Sequence, residues 1–302
     1  LHNHRTKPTA LIFGQLLHTE AYGIYVRKLV DIARKHGQGI ESPFGIYTAA
    51  FATHAILDRI THPFINYFSG WVTPDHPESD QYYNCHAFLE RIIDVFVLRS
   101  RTGESINGYD FLSRFDCGEN LPEFLETALS TAIVETFPIY TSVEKVQRRM
   151  RNAYLDTRGF YTFTNPAGRE NLHAAFRHGK GHQKPPRRLL ALFHPDRLPD
   201  LDYLNAAREE WNHPGIADEM HTESFIDLYE QAVEAAVPVV QGVAKALNNE
   251  ISGEDLEKIV GNENLSDGRT KKARRKLELV KPLPLQEVLR TIYIDLEKLD
   301  AE

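Results

Sequence analysis

Apolar positions recur every three to four residues through most of the chain, and almost nowhere do they alternate long enough to make a strand. The pattern predicts an all-α protein. "KPTALIFGQLLHTEAYGIYVRKLVDIARKHG" reads as one helix of about 28 residues, with Pro8 in its first turn and Lys35, His36 and Gly37 as a C-terminal signature. The next helix is expected from Tyr47 to Thr61 and should stop there, because Pro63 disfavours helical geometry at the residue before it. His62 would then sit at the helix end. "SGWVTPDHPESD" has loop composition, and "HAFLERIIDVFVLRSR", from His86 to Arg101, is helical again.

Further helices are predicted at "LPEFLETALSTAIVETF", "SVEKVQRRMRNAYLDTRGFY", "NLHAAFRH", "YLNAAREEW" and "ESFIDLYEQAVEAAVPVVQGVAKALNN". "RHGKGHQKPPRR", residues 177 to 188, reads as a loop. The organisation expected is one all-α domain over residues 1–250 and an irregular, charged C-terminal tail over 251–302. The tail carries the basic run "KKARRK" and closes on an amphipathic piece, "PLQEVLRTIYIDLEKL", that docks on the domain or on a partner.

Composition narrows the function classes. With 302 residues the core is sizeable, and a formal charge of -7 gives no overall basic field, so nucleic acid is not a favoured partner. Cys85 and Cys117 cannot build a disulfide framework and read as two buried thiols. No run of 18 apolar residues occurs, so no transmembrane segment is expected. The chain opens on Leu1, which leaves room for a trimmed N-terminal piece; a cytoplasmic location is the expectation.

The histidines are unevenly placed: eight of the 14 fall in the first 86 residues and none between 87 and 172. His54, Asp58 and His62 stand four apart, as do His86, Glu90 and Asp94, and steps of four keep side chains on one helical stripe. A histidine followed four residues later by a carboxylate can present two ligands to one ion with little strain. A lone histidine on an apolar helix face is usually a satisfied core residue, and one such pair is usually a solvated surface contact. Two nearby helices repeating the pattern shift the balance toward a metal site.

The remaining histidines lack that spacing. His173, His178 and His182 run into a Gly- and Lys-rich loop and read as solvated or beside a substrate. His76 and His194 each precede a proline and carry no signal; His213 and His221 flank a turn near Trp211, which seals the core. Asp94 either orients His86 or pairs with Arg91.

"THAILDRITHP" followed by "HAFLERIID" resembles the zinc-dependent phospholipase C family and, more distantly, the single-strand-specific zinc nucleases. The resemblance covers roughly the first third of the chain, and it implies an all-α domain holding one to three zinc ions. It implies that His54 and Asp58 hold one zinc, with Asp58 able to bridge, and that His62, His86 and Glu90 hold a second. His18, in "QLLHTEAYG", is the match for a further ligand of the first ion, and Asp58 and Glu90 are the implied catalytic carboxylates. Members also carry an N-terminal histidine and then an aspartate; here no Asp precedes Asp31, and only His2 and His4 in "LHNHR" stand nearby.

The implied activity is hydrolysis of a phosphodiester, with phospholipid as a candidate substrate. A nuclease would need stacking platforms, for which Tyr67, Phe68, Trp71, Tyr82 and Tyr83 are candidates, and a basic groove, which the sequence does not supply. A non-catalytic helical binding module with a reduced metal site is the alternative of another class.

Overall fold

The computed structural model describes residues 11–73, 76–166, 169–179, 187–269 and 279–299. Over these the chain is all-α, as the periodicity predicts. The helices are α1 (Leu11–Thr19), α2 (Tyr22–Lys35), α3 (Pro43–Ser69), α4 (Cys85–Thr102), α5 (Glu123–Thr136) and α6 (Val143–Thr164), then α7 (Arg169–Gly179), the single turn α8 (Arg187–Leu190), α9 (Phe225–Leu247), α10 (Gly253–Val260) and α11 (Leu285–Leu299). A minimal antiparallel ribbon pairs β1 (Trp211–Asn212) with β2 (Met220–His221). His2, His4, His182 and the basic run at 271–276 lie outside the described residues, as does the side chain of His178.

The first predicted helix is two. Ala21, just before α2, has φ 64°, a left-handed conformation that a continuing helix does not tolerate. The second prediction erred in the other direction, for α3 runs through Pro63 to Ser69. An interior proline costs a helix about 3 kcal/mol. Beyond it, Phe64, Ile65 and Tyr67 are all buried, and each such burial returns about 1.5–3 kcal/mol, so the helix continues. His62 therefore lies within the helix and not at its end.

"YLNAAREEW" is not helical. Asp202 accepts hydrogen bonds from the backbone N–H of Ala206 (2.7 Å) and Ala207 (2.8 Å), and Asn205 and Arg208 both adopt positive φ. These short side chains offer the backbone a local alternative to the helical ladder, and it wins. The expected burial of both thiols also fails for Cys117, which is exposed, while Cys85 is buried.

The helices group into two compact units, each built from three chain segments. Unit 1 comprises residues 1–63, 117–157 and 227–275; unit 2 comprises 64–116, 158–226 and 276–302. The stretch expected as a tail thus supplies α10 to unit 1 and α11 to unit 2.

In unit 1, α2 packs against both α5 and α10, and the core gathers Phe13, Tyr22, Leu29, Ala132, Ile133, Val243 and Leu256. Gly23 donates to the carbonyl of Gly261 at 2.9 Å; a Cβ there would lie 2.7 Å from that oxygen, so only glycine allows the approach. Unit 2 centres on aromatic side chains. Trp211, 1% exposed, does seal this core: Phe64 meets it edge-on at 5.6 Å and His221 stacks on it at 4.4 Å. The end of α3 is satisfied within unit 2, where Lys281 and Leu283 donate to the carbonyls of Tyr67 and Phe68. Among the described residues no helix is long and apolar enough to cross a membrane.

Candidate metal centre

Unit 1 brings His18, His54, Asp58 and His62 together. Asp58 is the hub, its side chain only 9% exposed. Its Oδ2 lies 3.2 Å from His54 Nε2 and 3.5 Å from His18 Nε2, and its Oδ1 lies 3.8 Å from His62 Nε2. The i, i+4 spacing along α3 places His54 and His62 on either side of Asp58, and α1 delivers His18 from another helix.

The protons decide what this arrangement is. His18 Nδ1 donates to the carbonyl of Gly14 at 2.8 Å, one turn back along α1. His62 Nδ1 donates to the carbonyl of Leu265 at 2.5 Å. A neutral imidazole has one N–H, so once Nδ1 donates, Nε2 is a lone pair. Both lone pairs point at a carboxylate, which is itself only an acceptor. Accordingly Oδ2 of Asp58 is buried and makes no hydrogen bond of acceptable geometry. Burying a carboxylate oxygen unsatisfied costs several kcal/mol.

A cation between these atoms removes the conflict. Ligands about 2.0–2.1 Å from a tetrahedral ion stand roughly 3.3 Å from one another, and the Asp58 separations of 3.2 and 3.5 Å bracket that value. Ligating histidines ordinarily donate their other ring N–H to a carbonyl or carboxylate, as His18 and His62 do here. The side chains of His18 and His54 are about two-fifths exposed, so the group opens to solvent on one side. His18, His54 and Asp58 could therefore hold a metal ion.

The support behind the ligands comes from the 261–268 segment. Leu265 is fully buried; its carbonyl takes the His62 proton and its N–H donates to the carbonyl of His18 at 2.8 Å. Arg59 ties this segment down by donating to the carbonyls of Val260, Gly261 and Glu263. Burial pushes the Arg59 guanidinium below its ordinary range, and Glu263 beside it pulls the other way. Gly268, with φ 65°, passes so near Arg59 that a Cβ would sit 2.8 Å from its carbonyl oxygen. Tyr22 completes the surround, donating to the carbonyl of Phe51 at 2.6 Å with its ring centroid 6.3 Å from that of His54. Burial pushes its phenol well above the usual range.

His86 and Glu90 belong to unit 2, where the first turns of α4 set His86 Nε2 3.1 Å from Glu90 Oε1. Nδ1 of His86 lies 3.1 Å from Oδ1 of Asn66, which is buried. With Nδ1 donating to that amide oxygen, Nε2 again faces a carboxylate as an acceptor.

Asp94 does not orient His86. It pairs with Arg91 (3.6 Å) and with His194, whose Nε2 lies 2.9 Å from Asp94 Oδ2. His194 gave no signal in sequence, yet it is buried and its ring stacks on Phe111 at 4.7 Å. Burial lowers its pKa, against the opposing pull of Asp94. His213 is buried and accepts from the Gly215 N–H, and His221 lies between Glu219 and Glu223. Tyr67 and Phe68, candidate stacking platforms, pack against Trp211 instead.

No protein-family model, no curated protein and no solved structure matches this chain. Fold and site together define a class only: an all-α protein with a histidine and aspartate cluster able to hold a metal ion.

Proposed function

We propose that this chain is a zinc-dependent hydrolase of phosphodiesters of the phospholipase C kind, holding between one and three ions. The observation that carries the proposal is the buried Asp58 carboxylate faced by imidazole nitrogens of His18, His54 and His62, with the protons of His18 and His62 committed to backbone carbonyls. The resemblance of "THAILDRITHP" and "HAFLERIID" supplies the reaction class. His18, His54 and Asp58 hold the first ion. His86 and Glu90, the pair that the resemblance implies for a second ion, stand 3.1 Å apart on α4 and offer two ligands to it.

Such a cation, when bound, lowers the pKa of a water and polarises a phosphoryl oxygen. The chain's own part is positioning. The Gly14 and Leu265 carbonyls fix His18 and His62 with Nε2 forward, and Asp58 offers one oxygen to each side. With a net charge of -7, the chain has no basic field to attract a phosphodiester, so attraction is left to the cations. Packing of Tyr67 and Phe68 into the unit 2 core weighs against the nuclease alternative.

The test is elemental analysis of protein purified without chelator, followed by assay on a choline phospholipid and on single-stranded DNA. The proposal expects about one equivalent of zinc or more, and phospholipid hydrolysis that His54→Ala removes while the fold stays intact. Metal-free protein that binds none on addition contradicts it. Metal binding without hydrolysis of either substrate leaves the non-catalytic helical module.

A further inference from the structure

Helix α9 is apolar on two faces. Leu228, Ala232, Val239, Val243 and Ala246 are buried in unit 1. On the opposite side Val233, Val237 and Val240 are 47%, 51% and 39% exposed, and Ala244 continues their line. At 100° per residue these four positions fall within roughly 60° of arc, and their four-three-four spacing is that of a helix-pairing seam. A helix with one apolar face toward the core needs no second, so the outer stripe calls for a cover.

The charges beside the stripe say what covers it. Glu234, Gln241 and Lys245 line one margin, all exposed, with the acid toward the N-terminal half and the base toward the C-terminal half. In a parallel pair this margin would face the opposite, apolar margin of the partner, where Ala236 and Leu247 lie, and Glu234 and Lys245 would find no charged partner across the seam. An antiparallel pair sets acid against base at both ends of a two-fold interface, and opposes the helix dipoles favourably. A membrane-lying helix would carry Lys or Arg along its margins instead.

We propose that α9 is a homodimer interface, two copies of the chain pairing antiparallel through the valine stripe. Val237 meets the partner's Val240 and Val233 meets the partner's Ala244. In that register Lys245 lies within one helical turn of the partner's Glu234. The interface involves none of the proposed metal ligands, so the two proposals stand or fall separately.

Sedimentation equilibrium of the full chain tests it. The wild-type protein is expected to dimerise at micromolar concentration. Val237→Glu should raise the dimer dissociation constant ~100-fold or more, and Glu234→Lys or Lys245→Glu about 10-fold each. The double reversal, Glu234→Lys with Lys245→Glu, should recover most of the wild-type affinity. Circular dichroism melts shared with the wild type show that these exposed changes leave the fold intact. A wild-type monomer at all concentrations overturns the proposal, as does a Val237→Glu dimer of undiminished affinity; a double reversal no better than either single overturns the antiparallel pairing.

Discussion

Two histidine and aspartate groupings in this molecule look alike in a list of distances and differ in their protons. In unit 2, His194 Nε2 lies 2.9 Å from an Asp94 carboxylate that is 42% exposed, an ordinary hydrogen bond whose acceptor is also paired with Arg91. In unit 1, Asp58 is buried, and the imidazoles nearest its two oxygens include two whose N–H already points at a carbonyl. In the first grouping the carboxylate has its donors, His194 Nε2 and Arg91, and the atom left buried without a partner is the ring nitrogen His194 Nδ1 rather than a carboxylate oxygen. The second has acceptors facing an acceptor, an arrangement that could hold a positive ion. Proximity of histidine to a carboxylate is therefore a weak sign of metal; committed protons are a stronger one.

The largest effect that sharpens this contrast is expected from Asp58→Asn. Losing the hub carboxylate should weaken zinc binding at the first site by ~100-fold or more in a competition titration, and remove any hydrolysis. His18→Ala should follow at roughly 10- to 100-fold, since it removes one ligand and leaves the others supported. Zinc at 100 times its dissociation constant should stabilise the wild-type fold by about 2.7 kcal/mol in a thermal melt, and the Asp58→Asn protein by much less. Asp94→Asn makes the opposite case: metal content unchanged, with a stability loss of about 1–3 kcal/mol from the weakened pair with buried His194.

The smallest effect is in pH dependence. Burial holds the His194 pKa below its ordinary value, so the unfolded chain takes up the proton first as pH falls. The stability His194 carries is complete above about pH 6.5 and declines as pH drops toward the folded-state value. A His194→Gln protein should show a shallower loss of stability on acidification than the wild type, measured by urea titration at several pH values. An unchanged slope would mean that His194 is as easily protonated folded as unfolded.

The residues of the candidate site were legible because helical spacing is local. His54, Asp58 and His62 lie on one stripe of one helix, and the i, i+4 rule predicts their convergence. Two things hid the rest. Continuation of α3 past Pro63 depends on burial of Phe64, Ile65 and Tyr67, a tertiary gain that outweighs a local cost. The carbonyl that fixes His62 comes from Leu265, 203 residues away, and the acid that holds His194 lies 100 residues before it; no local pattern encodes such partners. The failure at 203–211 is of another sort, for Asp202 and Asn205 turn signals were present in the sequence and outweighed the helical periodicity around them.

Whether His18, His54 and Asp58 share an ion can be seen in an anomalous scattering map collected at the zinc edge from crystals grown with zinc. A peak is expected about 2.0–2.1 Å from His18 Nε2, His54 Nε2 and one oxygen of Asp58. A map without a peak there, with Asp58 hydrogen-bonded to protonated imidazoles alone, would rule out a shared ion.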